Sequence, residues 1–271
     1  MTKNSLLVLI IILTAVLPLF AAKGNQLTMS GSTTVLPIAQ AGAEAFMTRF
    51  PDVNISVRGG GSGVGIAALM NKTVDIANSS RRMKAKELTQ AKSNGVNPIA
   101  YEVANDGITI VVNKNNPLKN ITIKQLKDIY SGKLNNWNQL GGANIPIVVI
   151  SRDVSSGTYE VFSEKVMTGS KIVDSAQMLA SNNAIANTIA STPGAISYIG
   201  LGYVTPDTKV LSVENVIPSE QTIKSMTYKL SRKLYMYTNG AAKGNAARFI
   251  SWLQSTEGQK IVEEHGFISL K

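Results

Sequence analysis

Cysteine is missing from the 271 residues, and histidine occurs once, at His265. Without thiols the chain has no disulfides, no thiolate nucleophile, no thiolate metal ligand and no cysteine to carry a lipid anchor. One histidine is too few for a histidine-based zinc shell. A serine hydrolase would need His265 as its base, but "EEHGF" sets it beside Gly266, where a histidine serves to cap a helix C-terminus. Aromatic residues make up 6% of the chain, and the lysines are scattered singly with no aromatics interleaved, which argues against a nucleic-acid surface. No pair of carboxylates stands out for glycosidase chemistry.

Acidic residues are also in the minority, 17 against 27 Lys and Arg, for a formal charge of +10. Such a surplus suits an anionic partner, whether nucleic acid, a membrane surface or a small oxyanion, and equally suits a plain solvated basic surface. A long apolar run occurs near the N-terminus, in "MTKNSLLVLIIILTAVLPLFAAKG". Lys3, the apolar stretch Leu6 to Phe20, and Ala21 and Ala22 behind it have the layout of a secretory signal peptide over 1–22. A retained membrane anchor is the alternative, but the run is shorter than the roughly 20 residues a spanning helix needs. With no disulfides, the remainder must be held by its own core, for which 44% hydrophobic residues suffice.

What remains is rich in alternation. Strand-like runs at 27–30, 53–59, 74–77, 99–104, 108–113, 145–151, 195–199 and 233–238 are separated by helical spacing at 36–49, 64–71, 84–94, 122–131, 158–168, 182–191 and 242–265. This order predicts an α/β protein with mainly parallel sheets. Two groups of hydroxyl-rich strand-to-helix turns, one before residue 82 and one at 151–158, suggest two lobes that bring the groups face to face.

The first group holds "SGSTTVLPIAQ", with Pro37 near the helix start, "RGGGSGVGIAALM", and "DIANSSRRM". The second is "SRDVSSGTYEVF", with Arg152 at its head. Open α/β sheets bind ligands at such C-terminal strand edges. There the first helical N–H groups are unpaired, glycine lets backbone approach, and hydroxyls add donors, a combination suited to a tetrahedral oxyanion. The plain alternative for each turn is helix capping, worth about 1 kcal/mol.

Nucleotide motifs fail on spacing. In "GGGSGVG" (59–65) the third glycine of G-x-G-x-x-G is replaced by Val64, Ile66 or Ala68, no G-x-x-x-x-G-K-[ST] occurs, and Val64 spoils a G-x-S-x-G elbow at Ser62.

Taken in order, "SGSTTVLPIAQ", "GGGSGVGIAAL", "VDIANSSR", "ITIKQLKDIYSGKLNNWNQLGG", "SRDVSSGTYEVF" and "TPGAISYIGLGYV" resemble the periplasmic phosphate-binding proteins of Pst-type phosphate ABC importers. The resemblance implies a two-lobed type II periplasmic binding fold with the ligand cleft between lobes. It implies a first lobe over 23–105 and 239–271, a second over 106–238, and crossings near 104–107 and 238–242. It implies phosphate contacts from Ser32, Thr33, Thr34, Ser62 and Ser80 of the first lobe and Arg152, Ser156, Gly157 and Thr158 of the second. It further implies a monomeric, non-catalytic periplasmic receptor without cofactor or metal, whose partners are inorganic phosphate and a membrane permease, not nucleic acid.

Some members of that family carry an aspartate where Ser80 stands, and its carboxylate accepts the proton of hydrogen phosphate, which sulfate lacks. With serine there, Asp106 in "ANDGITI" is the first candidate acceptor, though it also suits a turn before Gly107, and Asp153 beside Arg152 is the second. The same fold binding sulfate, molybdate or phosphonate remains an alternative, as does a secreted phosphomonoesterase or hydrolase using one of the serines.

Overall fold

The computed structural model describes residues 25–271; the expected leader over 1–22 lies outside them. No described helix is long and apolar enough to cross a membrane. The chain opens with β1 (Gln26–Gly31), α1 (Leu36–Arg49), β2 (Asn54–Arg58), α2 (Ser62–Met70), β3 (Ile76–Ser79) and α3 (Ala85–Ser93). Strand β1 lies between β2 and β3 and parallel to both, so the three hydroxyl-rich turns all leave the same edge of this sheet.

A 16-residue strand, β4 (Pro98–Asn113), then carries the chain out of that sheet. It continues through β5 (Asn120–Ile121), α4 (Ile123–Tyr130), β6 (Val148–Arg152), α5 (Gly157–Phe162), β7 (Gln177–Leu179), α6 (Asn182–Ser191), β8 (Ala195–Gly200), β9 (Thr208–Val213) and α7 (Glu220–Lys224). Strand β10 (Ser231–Asn239) returns to the first sheet, and α8 (Gly244–Leu253) and α9 (Thr256–Glu264) complete it. Residues 98–107 of β4 pair with β10, whereas 108–113 pair with β8 and β9. One strand therefore serves two sets of partners, and the changeover falls between Gly107 and Ile108.

Both sheets are covered on two faces, and the period of two along each strand shows it. In β10, Leu234 and Met236 enter the core with α1 and α8, while Tyr235 and Tyr237 enter the one with α2 and α3. In β8, Ile196 and Tyr198 join one second-lobe core and Ala195 and Ile199 the other. Each such aliphatic side chain contributes about 1.5–3 kcal/mol by leaving water. The "KDIYSGKLNNW" segment proves to be structural. Tyr130 is buried and donates to Ile150 O at 3.1 Å, and buried Trp137 donates to Gly194 O at 2.9 Å.

Several expectations change. Antiparallel pairs, β3 with β10, β10 with β4, and β4 with β8 and β9, occupy the centre because two crossing strands run through it. The runs at 99–104 and 108–113 are one strand, with no turn at Asp106. The segment 242–265 is two helices, since Ser255 Oγ accepts from Gly258 N and starts a new one; His265 closes it. Strand β10 pairs with β4 from Ser231 onward and has β3 on its other side over 235–237.

Gly65 shows how tightly α2 sits on β1: a Cβ there would stand 2.4 Å from Ser30 O and 2.6 Å from Gly31 Cα. Both neighbours are backbone that cannot step aside. Gly65→Ala should therefore destabilise the protein by about 1–3 kcal/mol, read as a lower urea midpoint with an unchanged slope.

Candidate anion site

The hydroxyl-rich turns divide into those that cap and those that do not. Ser156 is the N-cap of α5 and accepts from Tyr159 N at 3.3 Å. Ser32 Oγ accepts from Thr34 N and Val35 N, folding the turn into α1. By contrast, α1 and α2 have no side-chain cap, so Thr33, Thr34 and Ser62 are not spent in this way. Thr33, Thr34, Ser62, Ser80 and Thr158 are all buried. Buried hydroxyls need partners, and all but Thr33, which accepts from Asn182, find them in one another.

Thr34 Oγ1 of the first lobe is 3.1 Å from Thr158 Oγ1 of the second. Ser62 Oγ is 3.3 Å from Ser80 Oγ and accepts from Ser80 N at 3.0 Å. Gly157 closes on that serine pair: a Cβ at 157 would lie 2.3 Å from Ser62 Oγ and 2.7 Å from Ser80 Oγ. The two turn groups anticipated from sequence thus meet across the cleft. A further pair of contacts seals them, with Gly63 N donating to Ser155 O and Ser155 Oγ to Gly60 O.

Two buried arginines supply charge. Arg152 donates Nε to Leu179 O at 3.0 Å and Nη2 to Ala180 O at 2.9 Å, with Asp153 Oδ2 at 3.4 Å. It thereby fixes the turn into α6, and among the described residues its Nη1 makes no hydrogen bond to protein. Asp153 holds Arg152 and also accepts from Ser155, so it is a partner of the loop. The second cation, Arg232 at the start of β10, sits nearer the hydroxyls. Its Nη1 donates to Thr158 Oγ1 at 3.1 Å and its Nη2 to Thr34 Oγ1 at 3.3 Å.

Arg232 is held by Asp106, its register neighbour on β4. Asp106 Oδ2 accepts from Arg232 Nε at 2.8 Å and lies 2.7 Å from Nη2, while Oδ1 accepts from Leu201 N at 2.9 Å. Burial pushes the Asp106 carboxyl up from the ordinary carboxylate range, and the charge of Arg232 opposes it. Burial likewise pulls both arginines down, against the pull of their aspartates. A carboxylate with both oxygens engaged by Arg232 and a backbone N–H has little room for a ligand proton.

A model of the PBP superfamily domain matches residues 21–257. The chain is 35% identical over 255 residues to the phosphate-binding protein PstS of Bacillus subtilis, covering 92% of this chain and 83% of that one. It belongs to the PstS family of phosphate-binding proteins. A similar protein of that name from Borreliella burgdorferi is 33% identical, with 90% of each chain covered. Among solved structures, a Clostridium perfringens phosphate ABC transporter substrate-binding protein with bound phosphate superposes with a TM-score of 0.85. It is 35% identical, over 91% of this chain and all of that one. An ABC-type phosphate transport receptor from Vibrio cholerae gives 0.74 at 32% identity, over 89% and 99%. The mixed α/β, two-lobed architecture is the one these family members share.

Arg232 and Asn182 were not among the residues singled out from sequence. Buried Asn182 donates to Thr33 Oγ1 and Thr34 Oγ1, both at 3.1 Å, and accepts from Gly200 N. Its segment "LASNNAIA" is another strand-to-helix turn with a serine cap, so the pattern used for the other turns also reaches it. Arg232 opens a strand, and nothing local marks it.

Replacing Asp106 by asparagine would leave Arg232 buried with no counter-charge. Such losses cost about 3–5 kcal/mol. Asp106→Asn should unfold at a correspondingly lower urea concentration, and a midpoint equal to that of the unaltered protein would refute this account of the pair.

Proposed function

We propose that this chain binds inorganic phosphate between its lobes, outside the cytoplasm, and delivers it to the membrane permease of an ABC importer. The observation that carries this is the buried meeting of Thr34 and Thr158 across the cleft, with Arg232 donating to both. A small tetrahedral dianion matches a ring of buried donors with two guanidinium groups at its edge. The bound phosphate named for the Clostridium perfringens relative supports the same ligand. Ser32 and Ser156 act by shaping their turns, whereas Thr33, Thr34, Ser62, Ser80, Gly157 and Thr158 face the ligand. Arg152 offers its remaining Nη1, and Arg232 and Asn182 complete the set.

We place the first lobe at 25–107 and 231–271 and the second at 108–230, following sheet membership. Closure is a hinge motion about β4 and the segment leading into β10. Residues 1–22 are the export leader, and the receptor works as a monomer. The reading is non-catalytic: Ser62 and Ser80 bond to each other and not to a base, and His265 ends α9. The proton of hydrogen phosphate is accepted by a hydroxyl oxygen of the serine pair, since Asp106 is committed to Arg232. A hydroxyl does not repel sulfate as a carboxylate would.

Calorimetric titration with phosphate, sulfate and molybdate tests this. Phosphate binding is expected, and Gly157→Ala should weaken it by at least about 100-fold because its methyl meets Ser62 and Ser80. That is the scale of breaking buried charged hydrogen bonds at a binding site. Arg232→Ala and Arg152→Ala should each weaken it comparably. Asp106→Asn should lower phosphate and sulfate affinity together, leaving their ratio unchanged. The absence of phosphate binding, or turnover of a phosphate ester, would overturn the reading.

A further inference from the structure

Beside the anion site lies a cluster of charge that ligand binding does not use. Arg81 follows Ser80 directly and is buried. Its Nη1 and Nη2 each donate to Glu87 at 2.7 Å, within the first lobe. Its Nε faces Glu160 of the second lobe in a direct ion pair. Lys84 Nζ, also of the first lobe, lies 3.0 Å from the other Glu160 oxygen. Burial pulls the Arg81 guanidinium down, and the two carboxylates more than compensate, holding it above its ordinary value.

Two features set Glu160 apart. Among the described residues, and leaving aside Asp106 with Arg232 at the crossing itself, it is the one side-chain carboxylate whose ion pairs join the lobes. It is also two residues beyond Thr158, just as Arg81 is one beyond Ser80. The pair therefore forms when Thr158 reaches Thr34 and Gly157 reaches Ser80.

The arrangement is asymmetric in a useful way. Arg81 keeps Glu87 whether or not the lobes touch, so parting strands no buried cation. Glu160 borders a cleft of about 810 Å³ that Arg81, Lys84, Lys165 and Lys233 also line, so on parting its carboxylate passes into water. A pair with one half fixed and the other half released to solvent can be made and broken repeatedly, unlike an ion pair sealed in a core.

We propose that Glu160 is a closure latch, docking on Arg81 and Lys84 to hold the lobes shut and so to set how long the bound anion stays. It is a positioning residue that touches no ligand, and the proposal rests on the two-lobed phosphate receptor described above. Because the closed state is what retains the ligand, its loss should fall on dissociation, not on encounter. Salt should mimic it, since the pair borders solvent.

The test follows release of radiolabelled phosphate from the purified protein after a chase with unlabelled phosphate, alongside the association rate. Glu160→Gln should speed dissociation about 10-fold with association changed less than twofold, Glu160→Asp should fall between, and Lys84→Gln should show a smaller effect in the same direction. Raising salt from 0.05 to about 0.5 M, where the screening length shortens several-fold, should accelerate release from the unaltered protein and do little to Glu160→Gln.

A second readout needs no ligand. The chain has no cysteine, so spin labels at Val64→Cys and Val154→Cys, 44% and 70% exposed on opposite lobes, are unique reporters of closure. Glu160→Gln should move their distance distribution toward longer separations. Unchanged release together with unchanged distances refutes the latch alone, as does a loss confined to association. Failure of the unaltered protein to bind phosphate refutes the receptor reading instead, and the label distances then decide the latch by themselves.

Discussion

The ion pair of Asp106 and Arg232 stands where the two lobes are one strand apart. Asp106 is the last residue but one of β4 to pair with β10 before the strand turns its hydrogen bonds to β8 and β9. Arg232, opposite it, spans from that point to Thr34 on one side and Thr158 on the other. A buried ion pair is a poor source of stability, because desolvation cancels most of its attraction. Its value here is positional: it fixes a guanidinium at the junction, where hydroxyls from both lobes can use it.

That placement also balances the charge of the site. Asp106 answers Arg232, and Asp153 answers Arg152, so neither cation is left bare before an anion arrives. Burial disfavours the ionised form of each of Asp106, Arg152 and Arg232. An entering dianion adds compensation where water has already been removed, and there a charge-assisted hydrogen bond is strongest. Serine at 80 follows the same logic. A carboxylate at 80 would add a third negative charge beside Asp106 and Asp153, whereas a hydroxyl can donate to an oxygen or accept from a protonated one.

How much of this was legible in the sequence depended on range. The turns were legible because each is a local pattern: Pro37 opening α1, the glycines before Ser62, and Ser156 capping α5 are all set within a few residues. Helix α1 appears with the bounds its spacing predicts. Strands β5 and β7 are too short for periodicity to register, and β9 lies in a segment whose partner, β4, is remote in sequence. Arg232 was hidden for the same reason. Its meaning comes from Asp106, 126 residues earlier, and from a strand register that no local spacing announces. Asp106, conversely, was legible as a candidate acceptor but equally as a turn residue, because Asp-Gly favours turns, and the long strand overrode that second preference.

The same distinction resolves the glycine-rich stretch. As a nucleotide motif "GGGSGVG" fails on spacing, yet its glycines are not idle. A Cβ at Gly61 would stand 2.6 Å from Ser155 Oγ, and one at Gly65 would strike β1. Gly157 and Gly200 do the equivalent from the second lobe, where a Cβ would strike Ser62 and Thr34. Gly65 seats α2 on β1 within the first lobe, whereas Gly61, Gly157 and Gly200 put backbone against side chains of the facing lobe. Any larger residue at those three would prop the cleft open and admit water to groups whose strength depends on excluding it. Gly61 is needed both for its dihedral freedom, with φ at +102°, and for the absence of a side chain, with Ser155 of the facing lobe where a Cβ would stand, whereas Gly157 and Gly200 are needed for the absence of a side chain.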